Sequence, residues 1–303
     1  MINSDGEAGG LSPKLPGPIK VKLSPVEETM ILTLWSRAQD AASTSPVLRD
    51  SYAQKILDKV DVDAVSPTLF PKDPRYHRFI TVRAKQFDEW CNVFLDAHIG
   101  EAVTVLHLAC GLDLRAMRVR RAYGDRVRWI DLDKPEVVNL RRRLIPDPVS
   151  EKEIEWDYRL IGASVCDESW LEEIPYDRSL LVIGEGLFPY LTAEESTALL
   201  RRLVKHARSG QIMLDTVGTI LTRFHSFMPL FRGTSVKMKW GVDDGEEVAR
   251  VHPRLCLAET VLFTKLLPGA FASGAPPCLG VLTPVFSLLP SWKTYGQMLR
   301  LEF

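Results

Sequence analysis

A chain of 303 residues, 46% hydrophobic and 25% charged, is long enough to bury a full core, as one large domain or as one domain with a substantial cap. Its formal net charge of -1 and the lack of any long Lys/Arg run leave no electrostatic footprint for nucleic acid or an anionic membrane, so neither is expected as a partner. Cys91, Cys110, Cys166, Cys256 and Cys278 are widely spaced with no CxxC pair, which suggests neither a disulfide framework nor a zinc site and fits a reducing cytoplasm.

Residues 1–23 are rich in Gly, Pro and Ser, lack the apolar run of a signal peptide, and are expected to form a flexible tail. Structure is expected from Ser24, where "SPVEE" makes a capping box: Ser24 bonds the amide at Glu27, Glu27 reaches back, and Pro25 takes the first helical position. That helix is expected to reach Ala42, a second follows Asp50, and a third runs from Pro74 to Ala97 with Tyr76, Ile80, Phe87, Cys91 and Phe94 on one stripe. Together, residues 24–100 read as an N-terminal helical cap. From Val103 short apolar runs alternate with amphipathic helices, the pattern of a parallel sheet with helices on both faces. The expected strands are VTVLHLA, VRWID, YRLIGA, LLVIG and QIMLD, with helices near 113–122, 135–143 and 193–208, and a last strand QMLRLEF. Residues 217–252 break the alternation with aromatic and charged residues and read as a lid over a substrate, inserted after the fifth strand. No run of about 18 uncharged apolar residues, the length of a membrane span, occurs anywhere.

The first strand runs into "ACGLDL" and then into a helix, which places Gly111 where backbone must approach a ligand at the carboxyl edge of the sheet. A dinucleotide fingerprint needs GxGxxG, and only one of its three glycines is present, so a NAD-dependent oxidoreductase loses ground. The second strand ends "WIDLDKPEVV", where Asp131 or Asp133 is placed to accept both hydroxyls of a ribose or, alternatively, to cap the helix that starts at Pro135. A ribose contact alone suits NAD and S-adenosylmethionine equally.

Three stretches in order resemble one family, the leucine carboxyl methyltransferase superfamily, and within it the tetracenomycin-type polyketide O-methyltransferases. "ACGLDLR" matches a Gly-Ala-Gly-x-Asp-x-Arg turn, "DLDKPEVV" an acid-x-Asp-x-Pro-Glu-Val strand end, and "EGLFPYL" a Glu-Gly-x-x-x-Tyr-Leu segment. Weaker echoes are "ETMILTLWSRAQDA", "RAKQFDEW" and "WGVDD", so the resemblance spans residues 24–303. One departure is Ala109, which stands where the family has the first glycine of the turn. The resemblance implies a Rossmann-like class I methyltransferase fold over residues 101–303, S-adenosylmethionine as methyl donor, and O-methylation of a small molecule.

Chemistry gives residue roles to that expectation. An Arg is the natural partner of the cofactor's carboxylate because its planar fork binds bidentately, and Arg83 falls on the apolar stripe of its helix. An ion pair with an Asp or Glu is the structural alternative for Arg83. Glu185, at the end of the fourth strand, is placed to accept from the cofactor's amino group or to serve as a helix N-terminal acid. Asp167, with Glu168 beside it, follows the third strand, where adenine is read in this fold; Asp167 accepts from the exocyclic amine or caps the helix "DESWLEE" begins, and Trp170 or Leu171 shields the ring. Methyl transfer from a sulfonium needs no metal, because the leaving group is already neutral. A carboxylate acceptor needs no base, whereas a phenol of pKa near 10 gains from one, and His225 in the lid's "RFHSF" is the base candidate. Tyr190 and the aromatics Phe224, Phe227, Phe231 and Trp240 are the expected acceptor pocket. Methylation of a protein's terminal carboxyl is the rival reaction, and Ala109 keeps a non-catalytic cofactor-binding protein in view.

Overall fold

The computed structural model describes residues 19, 24–61, 74–119, 126–145, 157–227, 236–266 and 295–303. Helix α1, Pro25–Ala42, begins with the expected capping box: Glu27 N–H donates to Ser24 Oγ at 3.5 Å and Ser24 N–H to Glu27 Oε2 at 2.9 Å. Helix α2 spans Ala53–Leu57 and α3 spans Pro74–Ala97. Within the expected tail, Ile19 pairs with Val60, its N–H donating to Lys59 O at 2.8 Å. The rest of the tail lies outside the described residues.

The expected strands form as β1 Val103–Leu108, β2 Val127–Asp133, β3 Asp157–Gly162, β4 Ser179–Gly184 and β5 Gly210–Val217. Between them lie α4 Arg115–Val119, α5 Pro135–Leu144 and α6 Ala193–His206. Then come α7 Thr219–Phe224, α8 Gly245–Ala249, β6 Cys256–Leu262, α9 Phe263–Leu266 and β7 Gly296–Glu302. The sheet order is β3-β2-β1-β4-β5-β7-β6; the first five strands are parallel, and β7 runs antiparallel to both β5 and β6. This is the expected α/β architecture, a Rossmann-like sheet with helices on both faces. Strand β6 went unread in the sequence: "CLAETVL" is an edge strand carrying Glu259 and Thr260 amid half-buried residues, so its apolar signal is weak.

Period-two alternation splits the core into two layers. Val103 and Val105 of β1, Leu181 and Ile183 of β4, Met213 of β5 and Met298 of β7 pack with Phe87, Trp90, Cys91 and Phe94 of α3. Leu106, Leu108, Leu180, Val182, Ile212 and Leu214 face the other way, against Leu199, Leu200, Leu203 and Val204 of α6. Helix α3 is therefore a covering layer of the sheet, and the cap boundary expected near residue 100 cuts through a packed core. A smaller cluster joins Ile31, Leu34 and Ala38 of α1 to Leu112 and Leu114 of the turn after β1 and to Leu140 and Leu144 of α5.

The lid expected over residues 217–252 is only partly one. Val242, Val248 and Ala249 are buried in the α6 layer, and Val217 bridges Gly241, so the stretch returns into the core after α7. Tyr76 was expected on the apolar stripe of α3 and Phe231 among the acceptor aromatics; the side chain of the first and the whole of the second lie outside the described residues.

Strand order reverses between β1 and β4, so the crevice at their carboxyl ends is the switch point where ligands bind in open α/β sheets. Arg141 of α5 fixes one wall of it. Fully buried, its guanidinium donates to Asp131 Oδ2 at 2.6 Å and to the carbonyls of Gly111 and Asp113 at 2.8 Å each. Arg141→Met should leave Asp131 without its cation and two carbonyls without donors, and urea denaturation should show a loss of about 3 kcal/mol or more. A loss within experimental error of zero would mean the wall is held by apolar packing alone.

Candidate functional site

The turn after β1 holds two residues in the left-handed region, Ala109 and Gly111, both with φ of 51°. Glycine adopts this without cost, whereas the Cβ of Ala109 makes it unfavourable by about 1 kcal/mol. This backbone demand is the physical reason a glycine suits position 109, and the alanine here tolerates it under strain. At Gly111 the close neighbour is Met30 of α1: an added Cβ would stand 3.3 Å from the Met30 Cβ. Helix α1 thus lies directly over the turn, with Lys134 Nζ donating to Glu27 Oε1 at 3.1 Å beside it.

The two acids at the end of β2 separate. Asp131 is fully buried, accepting from Trp129 Nε1 at 2.8 Å, Tyr158 Oη at 2.8 Å and Arg141, with His107 Nδ1 at 3.3 Å. Burial alone would raise its pKa, but Arg141 and these hydrogen bonds outweigh it and hold the carboxyl below its usual range. Its oxygens are consumed in the core, which corrects the expectation that Asp131 faces a ribose. Asp133 is the acid at the edge. It accepts from Gly111 N–H at 2.7 Å and Lys134 N–H at 2.8 Å, and burial pushes its carboxyl pKa up.

Glu185, immediately after β4, sits between two arginines: Arg83 Nε donates to Oε1 at 3.1 Å and Arg115 Nη2 donates to Oε2. Burial would raise the Glu185 carboxyl, yet Arg115 and Arg83 together hold it below the usual range. Arg83 also donates through Nη1 to Asp215 Oδ2 at 2.9 Å, so the ion-pair alternative for Arg83 is present in the structure, with two acids. Its Nη2 makes no hydrogen bond among the described residues. Tyr190 hydrogen-bonds Thr29 of α1, and burial pushes its hydroxyl pKa up.

Behind Glu185 runs an ionic lattice. Arg115, fully buried, donates to Asp88 of α3 at 2.7 Å; Arg118 donates to Asp88 at 2.9 Å, Asp50 at 3.1 Å and Asp113 at 2.5 Å; Arg37 of α1 pairs with Asp50 at 3.0 Å. The sequence signalled Arg115 only as the last residue of the turn motif, without a role. Asp215 was missed altogether, although an acid closing the apolar run "IMLD" of a parallel strand points to the same carboxyl edge as Asp133 and Glu185.

Asp167 lies exposed after β3, and its carboxylate makes no hydrogen bond among the described residues. Its neighbour Glu168 is drawn to α6: the side chain is 81% exposed and pairs with Arg202 at 3.2 Å, so it is not gathered with the others. Trp170 is buried in the core beneath this turn, and Leu171 is partly buried.

The acceptor side differs most from expectation. His225 Nδ1 lies 2.8 Å from the Thr222 carbonyl oxygen and Nε2 lies 3.1 Å from that of Val236. A base must direct a lone pair at the proton it takes, and both His225 ring nitrogens face carbonyl oxygens of residues 222 and 236, so the structure directs neither at the crevice. Phe224 is 52% exposed, while Trp240 packs into the core with its ring 6.1 Å from that of Phe188. Phe227 closes the 3-10 turn His225–Phe227. The described residues therefore do not gather Phe224 and Trp240 into one enclosed pocket.

The lattice carries a pH dependence of known sign. Arg118, Arg37 and Arg115 outweigh burial and hold the Asp113 carboxyl well below its usual range. A carboxyl whose folded pKa is lowered contributes stability that is full above its unfolded pKa and lost as pH falls through the folded one. Stability to urea should therefore fall as pH drops below about 4, and Asp113→Asn should be weaker at neutral pH with a flatter acid slope. An unchanged slope in Asp113→Asn would assign the acid sensitivity elsewhere.

The family model for leucine carboxyl methyltransferase matches residues 30–204. The tetracenomycin polyketide synthesis O-methyltransferase TcmP of Streptomyces glaucescens is 36% identical over 283 residues, covering 93% of this chain and 98% of its own. An S-adenosyl-L-methionine-dependent methyltransferase of Gibberella zeae, dpfgK, is 36% identical over 249 residues, 78% of this chain and 82% of its own. Among solved structures, a DUF574 family protein of Streptomyces avermitilis superposes with a TM-score of 0.55 at 12% identity, covering 90% of this chain and 96% of its own. That likeness concerns the fold. With a family model spanning both the turn after β1 and the Glu185 segment, and a relative matching nearly end to end, the chain belongs to the leucine carboxyl methyltransferase family.

Proposed function

We propose that this chain, an S-adenosylmethionine-dependent O-methyltransferase, methylates a hydroxyl or carboxyl group of a small secondary metabolite of polyketide type. The observation that carries the reading is the pairing of Arg83 and Glu185 at the switch point. An amino-acid zwitterion needs one cation and one anion a few ångströms apart, and these two side chains supply them, with Arg83 Nη2 still available as a donor. Asp133 at the edge of β2 suits a ribose diol, Asp167 beyond β3 suits an exocyclic amine, and the left-handed turn at Gly111 brings backbone against Asp133. The residues present therefore fit the cofactor.

The bound cofactor supplies an electrophilic methyl on a sulfonium, whose loss leaves a neutral thioether. The protein's part is placement and exclusion of water. Arg83 holds a carboxylate, Glu185 an ammonium and Asp133 the ribose, while Met30 and Tyr190 close the crevice from the α1 side. The acceptor enters from α7, the exposed element beside the fifth strand. His225 does not take part in proton transfer, so the acceptor is one that ionises without it.

Among the described residues no helix is long and apolar enough to cross a membrane. Incubation with methyl-labelled S-adenosylmethionine and an extract of the source organism should place label in a small molecule, identifiable by mass spectrometry. Label on a protein's carboxyl terminus would overturn the acceptor assignment. In the same assay His225→Ala should show the pH profile of the wild type; a large loss restored by raising the pH would reinstate His225 as base.

The two acids of β2 separate the donor site from its support. Asp133→Asn should weaken S-adenosylhomocysteine by about tenfold, with a drop in melting temperature smaller than that of Asp131→Asn because only one of its two backbone hydrogen bonds is lost. Asp131→Asn should destabilise the fold with cofactor affinity nearly unchanged. The reverse pattern in calorimetry and melting would place the ribose on Asp131.

A further inference from the structure

Strands β4 and β5 are parallel neighbours in register Gly184 to Leu214, so the residues that follow, Glu185 and Asp215, stand side by side at the carboxyl edge. Two carboxylates so placed repel each other, and Arg83 lies between them, donating Nε to Glu185 at 3.1 Å and Nη1 to Asp215 at 2.9 Å. Asp215 is the deeper of the two: its side chain is 3% exposed against 12% for Glu185. Its second oxygen accepts from Gly186 N–H at 2.6 Å, in the turn that carries Glu185.

One carboxylate thus grips both halves of the clamp, the guanidinium directly and the Glu185 turn through the next backbone amide. Gly186 has φ of 66°, a left-handed conformation that the Asp215 hydrogen bond pins. With Nε and Nη1 committed, the planarity of the guanidinium leaves Nη2 aimed in one direction. Asp215 is too buried to touch a ligand itself, and no motif of the sequence announced it.

We infer that Asp215 is a positioning residue that aims Arg83 at the carboxylate of the cofactor's amino-acid end while holding the Gly186 turn in place. The inference rests on the assignment of Arg83 to that carboxylate. Removing the negative charge while keeping an acceptor separates aiming from folding, because an asparagine at 215 can still take the Gly186 amide but no longer anchors the guanidinium by charge. Burial pushes the Asp215 carboxyl up and Arg83 is the main force opposing this, so the two side chains depend on each other.

Calorimetry on the full chain with S-adenosylhomocysteine and with its decarboxylated analogue reads the aiming directly. Wild type should prefer the carboxylate-bearing ligand by about tenfold or more, and Asp215→Asn should reduce that preference to about threefold or less while binding the analogue as wild type does. If Asp215→Asn melts too early to titrate, Asp215→Ser, whose smaller side chain leaves room for water at the Gly186 amide, should give the same reduced ratio. Equal weakening of both ligands, or an undiminished preference, would overturn the inference and leave Asp215 a structural acid. A wild type that binds both ligands equally would instead strike the underlying Arg83 assignment.

Discussion

A guanidinium taken out of water must meet carboxylates or carbonyls, and the working edge of this sheet is built by obeying that requirement repeatedly. Arg115 is completely buried and Arg37, Arg118 and Arg83 nearly so, and their acids come from five separate places: the loop before α2, α3, the turn after β1, the end of β4 and the last residues of β5. Because the acids are shared between arginines of different elements, none of α1, α3 or the turn can shift far without stranding an ion. The crevice is therefore held by charge at its base and by apolar packing on both faces of the sheet. Such lattices add little net stability over a well-packed apolar core, but breaking one member is costly, which gives a fixed geometry. A fixed geometry is what an enzyme that only aligns its reactants requires.

The same requirement explains which charged residues are held in the core and which stand at the crevice. Asp131 and Asp133 are two residues apart on one strand and have opposite fates, because Arg141 reaches only the inner one. Arg83 and Arg115 share Glu185, but Arg115 is wholly buried and bonded to Asp88, while Arg83 is partly exposed and keeps one nitrogen without a hydrogen bond among the described residues. Helix α1 closes the arrangement: Arg37 bonds the Leu112 carbonyl at 3.1 Å, Met30 lies on Gly111, and Thr29 meets Tyr190. Its docking makes the first helix a wall of the crevice rather than an appendage.

Much of this was legible in the sequence. The five parallel strands, the capped α1 and the amphipathic α3 follow from apolar period and helix-start chemistry, which are local signals. Arg83 and Glu185 stood out because a charge on an apolar stripe and an acid at a strand end are each anomalous where they stand, and the fold brings the two together. Asp131 misled because a sequence shows an acid near a strand end without showing which acid an arginine ten residues later will capture. Asp215 was hidden for a similar reason, since its partners lie on α3 and after β4, far away in the chain. His225 looked reactive by residue type; the two carbonyls that occupy it come from Thr222 and Val236, contacts that no local pattern encodes. Ala109 read as a loss of space for a ligand, whereas its positive φ shows that the turn first makes a demand on the backbone.

The central claim is that the cofactor's amino-acid end is received at the β1–β4 switch point, between α3 and the Glu185 turn, beneath α1. Amide hydrogen exchange with and without S-adenosylhomocysteine tests it most directly. The account predicts new protection in 109–115, 185–191 and the first half of α1, with Thr219–Phe224 exchanging as before. Protection confined to α7 and the residues after it, with the turn after β1 unchanged, would contradict it.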